Sequence, residues 1–342
     1  MSFKRLEADD FVISSEAITA PLWTTNQPAL IEFYTSSVQE AGSSGNYYLS
    51  IYQTGSGLVG AEVQFDITYG NINGSGSSLY DPTINGKSPT RSIYGQYRNL
   101  VLGDENAAFI FGNVTSSDFY AISIDRSRYK EKLYPGSLTL KLSGSGGVLS
   151  LTDDSQVNNV ITYKDSGRVF NLVSGSAGTV YTTDQANGWT QASGSYGWFL
   201  PDIGTILLNP LALTGSMAAN GGIEMPTSRS SNSDGENFKR LYWALSGSTA
   251  SSITLNSEET ITSNFIAINP KFSEFNYSEN PSFISGSTGE VLYNDFINNP
   301  QTYITTIGLH NDNNELLAVA KLSRPLRKDF TKSTLVRVKL DF

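Results

Sequence analysis

Short runs that alternate apolar and polar residues recur along the chain, separated by clusters of Gly and Ser. Residues 62–69 show the pattern most cleanly, with Val63, Phe65, Ile67 and Tyr69 at every second position. In a strand, side chains at that spacing share one face, so this run predicts a strand with one buried side. Residues 47–52, 119–124, 137–142, 168–173 and 265–268 read as further strands. The intervening clusters at 74–78, 143–147, 174–178, 193–197, 246–248 and 285–289 supply turns, because Gly reaches backbone conformations closed to other residues. The clusters have no fixed spacing, which argues against a solenoid or a propeller. Two short helices are expected: 126–133, stopped by Pro135-Gly136, and 289–298, stopped by Asn299-Pro300. The pattern therefore predicts a mainly β chain of antiparallel, sandwich-like sheets with few short helices.

The last seventy residues carry the clearest local signals. Residues 303–309 and 315–322 form a strand pair around the turn residues 310–314, a hairpin signature. In a final strand, 335–342, Val336, Val338, Leu340 and Phe342 alternate inward while Arg337, Lys339 and Asp341 face outward. Residues 215–237, rich in Gly, Ser and Asn, read as a long mobile loop. The organisation expected from these signals is a β-rich domain over 1–170, a middle β-rich region over 171–273 that contains the loop, and a C-terminal hairpin and strand region over 274–342.

Composition supports the β reading. Of 342 residues, hydrophobic types make up 39% and charged types 16%, and Ser, Thr, Asn, Gly and Tyr fill the difference. The 17 Phe, 18 Tyr and 4 Trp set the chain apart from disordered polypeptides and supply enough ring area for a large core. With no Cys, there is no disulfide framework and no thiolate chemistry. The first ten residues carry acids where a secretory signal needs an apolar stretch, and no apolar run approaches the roughly 20 residues of a membrane helix. Synthesis in the cytoplasm without membrane insertion is the expectation.

The net charge of −9 disfavours nucleic-acid binding, which needs a positive field. From 321 onward, however, seven cations stand against two carboxylates. Arg324, Arg327, Lys328, Arg337 and Lys339, with the terminal Phe342, are the candidate contacts to an acidic partner, a second copy of the chain included. The alternative for this stretch is a solvated strand face.

Candidate chemistry is sparse. His310 is the only histidine and sits in the predicted hairpin turn, so multi-imidazole metal sites are excluded by count. Residues 55–60 match the G-x-G-x-x-G spacing, but a strand pattern follows where dinucleotide binding needs a helix. Gly86-Lys87-Ser88 has Asp81 where a phosphate loop needs Gly. Asp153-Asp154 and Glu258-Glu259 are adjacent pairs, and adjacent residues of a strand point to opposite faces, so neither forms an acid–base dyad alone. Residues 312–315 offer oxygens without the spacing of a calcium loop. The residues point to no catalysis, cofactor or metal.

The run Glu274-Phe275-Asn276-Tyr277 through Phe283, then Gly286-Ser287-Thr288-Gly289, Pro300-Gln301-Thr302-Tyr303 through Leu309, Asn311-Asp312-Asn313-Asn314 through Ser323, and the closing Val336-Arg337-Val338-Lys339-Leu340-Asp341-Phe342 resemble the C-terminal region of virion structural proteins of contractile-tailed phages, of the marine and cyanobacterial group. The first fifty residues and Arg91-Ser92-Ile93-Tyr94-Gly95-Gln96-Tyr97-Arg98-Asn99-Leu100 fit the same group. The resemblance implies a non-enzymatic virion component of the tail, in the baseplate wedge or its periphery, whose partners are other tail proteins and copies of itself. It also implies a copy number that follows tail symmetry, six or a multiple. It transfers no catalytic residues. A peripheral adhesin or fibre-attachment module that binds host-surface glycans, and a neck or collar protein, are the alternatives.

Overall fold

The computed structural model describes residues 3–24, 26–36, 48–76, 88–181, 195–214, 223, 237–247, 249–278 and 280–341. The chain is mainly β, as its alternation predicts. Its strands begin with β1 (Phe11–Pro21), β2 (Ala29–Leu30), β3 (Tyr34–Thr35), β4 (Tyr48–Tyr52), β5 (Val63–Asn71), β6 (Phe109–Phe111), β7 (Val114–Ser116) and β8 (Asp118–Ile124). They continue with β9 (Lys132–Leu133), β10 (Thr139–Gly144), β11 (Gly147–Asp153), β12 (Thr162–Lys164), β13 (Gly167–Ser176), β14 (Thr179–Val180), β15 (Gly197–Leu200) and β16 (Thr205–Leu208). The last are β17 (Ser252–Thr254), β18 (Asn256–Ile268), β19 (Thr302–His310), β20 (Leu316–Lys328) and β21 (Val336–Asp341). The helices are α1 (Pro89–Leu102), α2 (Pro210–Leu213), α3 (Phe238–Ser246) and α4 (Asn294–Asn298).

Two compact units result: Ile18–Glu259, and Met1–Ala17 together with Thr260–Phe342. The division expected at 170/171 falls inside β13, which is paired to β11 on one side and β15 on the other. A boundary there would cut a strand held on both edges.

The larger unit, Ile18–Glu259, is built on one antiparallel sheet in the order β2-β17-β10-β11-β13-β15-β16-β8-β5-β4-β3. Its two edge strands, β2 and β3, are consecutive in the chain and joined only by residues 31–33. Such a link spans at most about 14 Å. The sheet must therefore curl until its edges approach at that end, and it forms a half-barrel. Helix α3 fills the concave side, burying Phe238, Leu241, Ala244 and Leu245 among Leu49, Ile51, Phe65, Leu140 and Leu142. The Tyr242 hydroxyl donates to the carbonyl of Phe33, 3.3 Å away, tying that helix to the closing link.

The convex side is covered too. Helix α1 packs there with Ile93, Tyr94 and Val101 against Phe109, Phe111, Phe119, Trp198 and Leu207. Consecutive residues of β8 thus enter opposite cores: Phe119 and Ala121 the outer, Tyr120, Ile122 and Ile124 the inner. This corrects the expectation of one-sided burial for β5. Phe65, Ile67 and Tyr69 face inward as predicted, but Thr68 and Gly70 on the other face are buried as well. At Gly70 a Cβ would lie 2.7 Å from the Phe119 ring, so the close approach requires glycine.

Helix α1 itself escaped the pattern reading. Pro89 opens it and Gly103, at φ 64°, closes it with its N–H on the carbonyl of Asn99. The helix expected over 126–133 is a single 3₁₀ turn, Arg126–Arg128, followed by β9. There the Arg126 guanidinium donates to the carbonyls of Tyr129 and Lys130 and covers the Tyr129 ring, which holds the chain in a turn. Of the helix expected over 289–298, only Asn294–Asn298 forms, because 285–290 close a turn through Gly289 N–H to the carbonyl of Ser285. The loop expected over 215–237 lies outside the described residues apart from Ile223 and Asn237.

The smaller unit has little core. It contains the sheet order β1-β18-β21 through residues 11–17, 260–268 and 336–341, and the separate two-stranded ribbon β19-β20. Strand β21 pairs antiparallel with β18, with Ile266 opposite Val338 and Ile268 opposite Val336. Its side chains alternate buried and exposed, as the sequence predicts, through Val336 and Val338. Phe342 lies outside the described residues.

Candidate assembly surface

Of the fifty buried hydrophobic side chains among the described residues, the smaller unit supplies three, Ile266, Val336 and Val338. It supplies fifteen of the twenty-nine exposed large hydrophobic ones. Every residue of β1 is exposed, Phe11, Val12 and Ile13 among them. Ribbon β19-β20 carries Ile304, Ile307, Leu309, Leu322 and Leu326 on a half-covered face, and Tyr303, Leu317 and Val319 exposed on the other. A two-stranded ribbon without a covered face is marginal in water. Contiguous exposed apolar area is a common feature of interaction surfaces.

An open cleft of about 2080 Å³ runs through this unit. Its walls include Phe3, Phe11, Ile266, Ile268 and the whole length of β19 from Tyr303 to His310. Asn264, on β18, also lines it, and its Oδ1 is buried with no hydrogen-bond partner among the described residues. A buried acceptor without a donor is uncommon in a finished fold. His310 contributes an exposed ring whose Nδ1 lies 3.2 Å from the Asn314 carbonyl and whose edge meets Phe3 at 5.1 Å. The rest of the turn is held by Asn311, which accepts from the N–H groups of Asn313 and Glu315. These are turn contacts.

The expected partner-binding cations divide into three groups. Arg324 is exposed and has no ion-pair or hydrogen-bond partner among the described residues. Arg327, Arg337 and Lys339 are exposed but engaged. Arg327 pairs with Asp329 at 2.9 Å, Lys339 with Asp341 at 3.0 Å, and Arg337 covers the Phe265 ring at 4.1 Å. Hydrogen bonds from Thr331 and from Arg327 hold the Asp329 carboxyl below the usual carboxylate range. Ser263, donating at 2.6 Å, and Lys339 do the same for Asp341.

Lys328 is a correction: it is fully buried and cannot be a surface contact. Its ammonium donates to the carbonyls of Phe272 and Asp329 and to Asn276 Oδ1, at 3.1, 3.1 and 2.9 Å. All three N–H donors are thereby matched, so the charge is accommodated by dipoles. Lys328 pins the 272–276 turn to the end of β20. Sequence reading missed its partner, Asn276. The signal available was parity: Lys328 stands two and six places from Leu326 and Leu322, on the same face of the strand.

Elsewhere the titratable groups serve the frame. Asp153 accepts from Gly136 N–H at 2.9 Å and Asp154 from Asn171 N–H at 2.9 Å, so the adjacent pair diverges as expected. Burial raises the Asp153 carboxyl, against hydrogen bonds from Ser155 and Gly136 that lower it. Asp118 is likewise pushed up by burial while accepting from the Tyr69 hydroxyl at 2.6 Å. Glu258 and Glu259 face Lys132 and Lys130. The glycines at 55–60 lie in the loop between β4 and β5, with Leu58 N–H on the Gly55 carbonyl. Among the described residues, no group of three or more His, Asp or Glu is placed to hold a metal ion. None of their helices is long and apolar enough to cross a membrane.

Compared with known proteins, the chain matches no protein-family model, no curated protein and no solved structure. The arrangement described above is thus the basis on which its role is read. What these side chains can do is present strand edges, apolar ribbon faces and the free guanidinium of Arg324 to a neighbour.

Proposed function

We propose that this chain is a structural subunit of a contractile phage tail, in the baseplate wedge or its periphery, and that it acts by subunit–subunit assembly without catalysis. The observation that carries the assembly part is the coreless unit Met1–Ala17 with Thr260–Phe342, which exposes fifteen large hydrophobic side chains and buries three. A unit so poor in buried area is only marginally stable by itself and gains most of its stability from the surface of a neighbour. Open strand edges and a half-covered ribbon are the geometry through which strand addition adds such surface. The tail part of the reading is supported by the resemblance of the runs within 274–342, of 91–100 and of the first fifty residues to virion structural proteins of contractile-tailed phages. A density map of the purified tail tests both parts. The chain should be traceable in it, in six copies or a multiple, with β1 and β19-β20 covered by neighbours. Particles that lack the chain, or that carry it with these strands facing solvent, would contradict the proposal.

A further inference from the structure

Strands β1 and β21 are the two edges of one sheet. Each pairs only with β18, so each keeps one row of backbone donors and acceptors unpaired among the described residues. The two edges differ in charge. The segment that leads into β1 carries Glu7, Asp9 and Asp10 against Arg5 and Lys4, of which Lys4 is paired with Glu274, and β1 itself carries Glu16 and no cation. Strand β21 presents Arg337 and Lys339 on its exposed face and Asp341 at its end. Their alternation also matches. Val336, Val338 and Leu340 line one side of β21 as Phe11, Ile13 and Ser15 line one side of β1. The opposite sides hold Arg337, Lys339 and Asp341 on the one strand, and Val12, Ser14 and Glu16 on the other.

We propose that copies of this chain join head to tail, with β1 of one copy added to the open edge of β21 in the next. The occupant of each edge is a second copy of the chain. This rests on the reading of the chain as an assembly subunit and names its first partner. An antiparallel pair of β21 strands centred on Val338 would oppose Arg337 to Lys339, and a pair of β1 strands centred on Glu16 would oppose carboxylates. Like charges directly across a strand pair are destabilising, and opposite charges are favourable. The mixed pairing also continues the β1-β18-β21 sheet from copy to copy with its apolar side unbroken. Because two different patches meet, the contact is heterologous, and it generates a ring where the rotation closes.

The test uses the full-length chain and its state of association, measured by sedimentation. The wild-type chain should sediment as a multi-copy species, with a dissociation constant at least about tenfold weaker when salt is raised from about 0.05 M to about 0.5 M. Two charge-reversed chains, Asp9→Lys with Glu16→Lys, and Arg337→Glu with Lys339→Glu, should each sediment as single copies, since each then opposes like charges at the joint. Mixed in equal amounts they should assemble again, because every joint in an alternating array unites opposite charges. That recovery shows that both variants remain folded. A wild-type chain that stays a single copy, a salt-insensitive association, either variant assembling alone, or a mixture that does not recover would overturn the proposal. The role in the tail is tested separately, by the presence of the chain in the particle.

Discussion

Replacing Val338 by Asp is expected to unfold the smaller unit and remove the chain from assembled particles, while Ile18–Glu259 keeps its fold. Val338 is 6% exposed and lies opposite Ile266, itself 5% exposed, across β18 and β21. A carboxylate placed there loses its hydration without gaining a partner, at a cost of several kcal/mol. A unit with a full core could absorb part of that. Here Val338 is one of three buried hydrophobic side chains among the unit's described residues, so the loss removes a third of that small core. Val338→Ile, which keeps the shape class, should be tolerated. Limited proteolysis reads the result. The variant should be cut rapidly within 260–341 and leave a resistant core covering 18–259. A wild-type digestion pattern, together with normal incorporation, would count against this account of the unit.

The second large effect is expected in the half-barrel. Phe119 is fully buried on its convex side, where it meets Tyr94 at 5.5 Å, Tyr97 at 5.4 Å and Phe109 at 4.9 Å between ring centres, and closes over Gly70. Phe119→Ala should cost about 3–5 kcal/mol, because rings on three sides cannot collapse into the space. For a unit of this length that corresponds to a fall of about 10 °C in its melting temperature. Calorimetry of the full chain measures it. A loss below about 1 kcal/mol would mean that α1 and the β6-β7 hairpin are not a packed layer of the fold.

Much of the sheet was legible because period-two alternation survives wherever one face is more buried than the other. Strand β21 and the β19-β20 hairpin follow from their residues directly. Helix α1 did not, for a physical reason. Its buried stripe, Thr90, Ile93, Tyr94 and Val101, holds only two aliphatic side chains, so the period of 3.6 is carried by few apolar residues. The curl of the sheet was also hidden. It depends on β2 and β3 taking opposite edges although three residues separate them, a pairing choice that no local pattern encodes. At the candidate surface, the cations were legible as charges but not as exposed or engaged groups. Arg327 and Lys328 are neighbours in sequence, yet one faces solvent beside Asp329 and the other is sealed beneath Asn276. The exposure of β1 was invisible for the opposite reason: Phe11-Val12-Ile13 looks like any buried strand.

Hydrogen exchange on the full-length chain, diluted in high salt until it sediments as single copies, compared with the same chain in the assembled tail, bears most directly on the claim that one unit is completed by its neighbours. Backbone amides of β1, β19, β20 and β21 should exchange orders of magnitude faster than those of β5, β8 and β16 in the isolated chain, and should become protected in the particle. Equal and strong protection of both sets in the isolated, single-copy chain would contradict it.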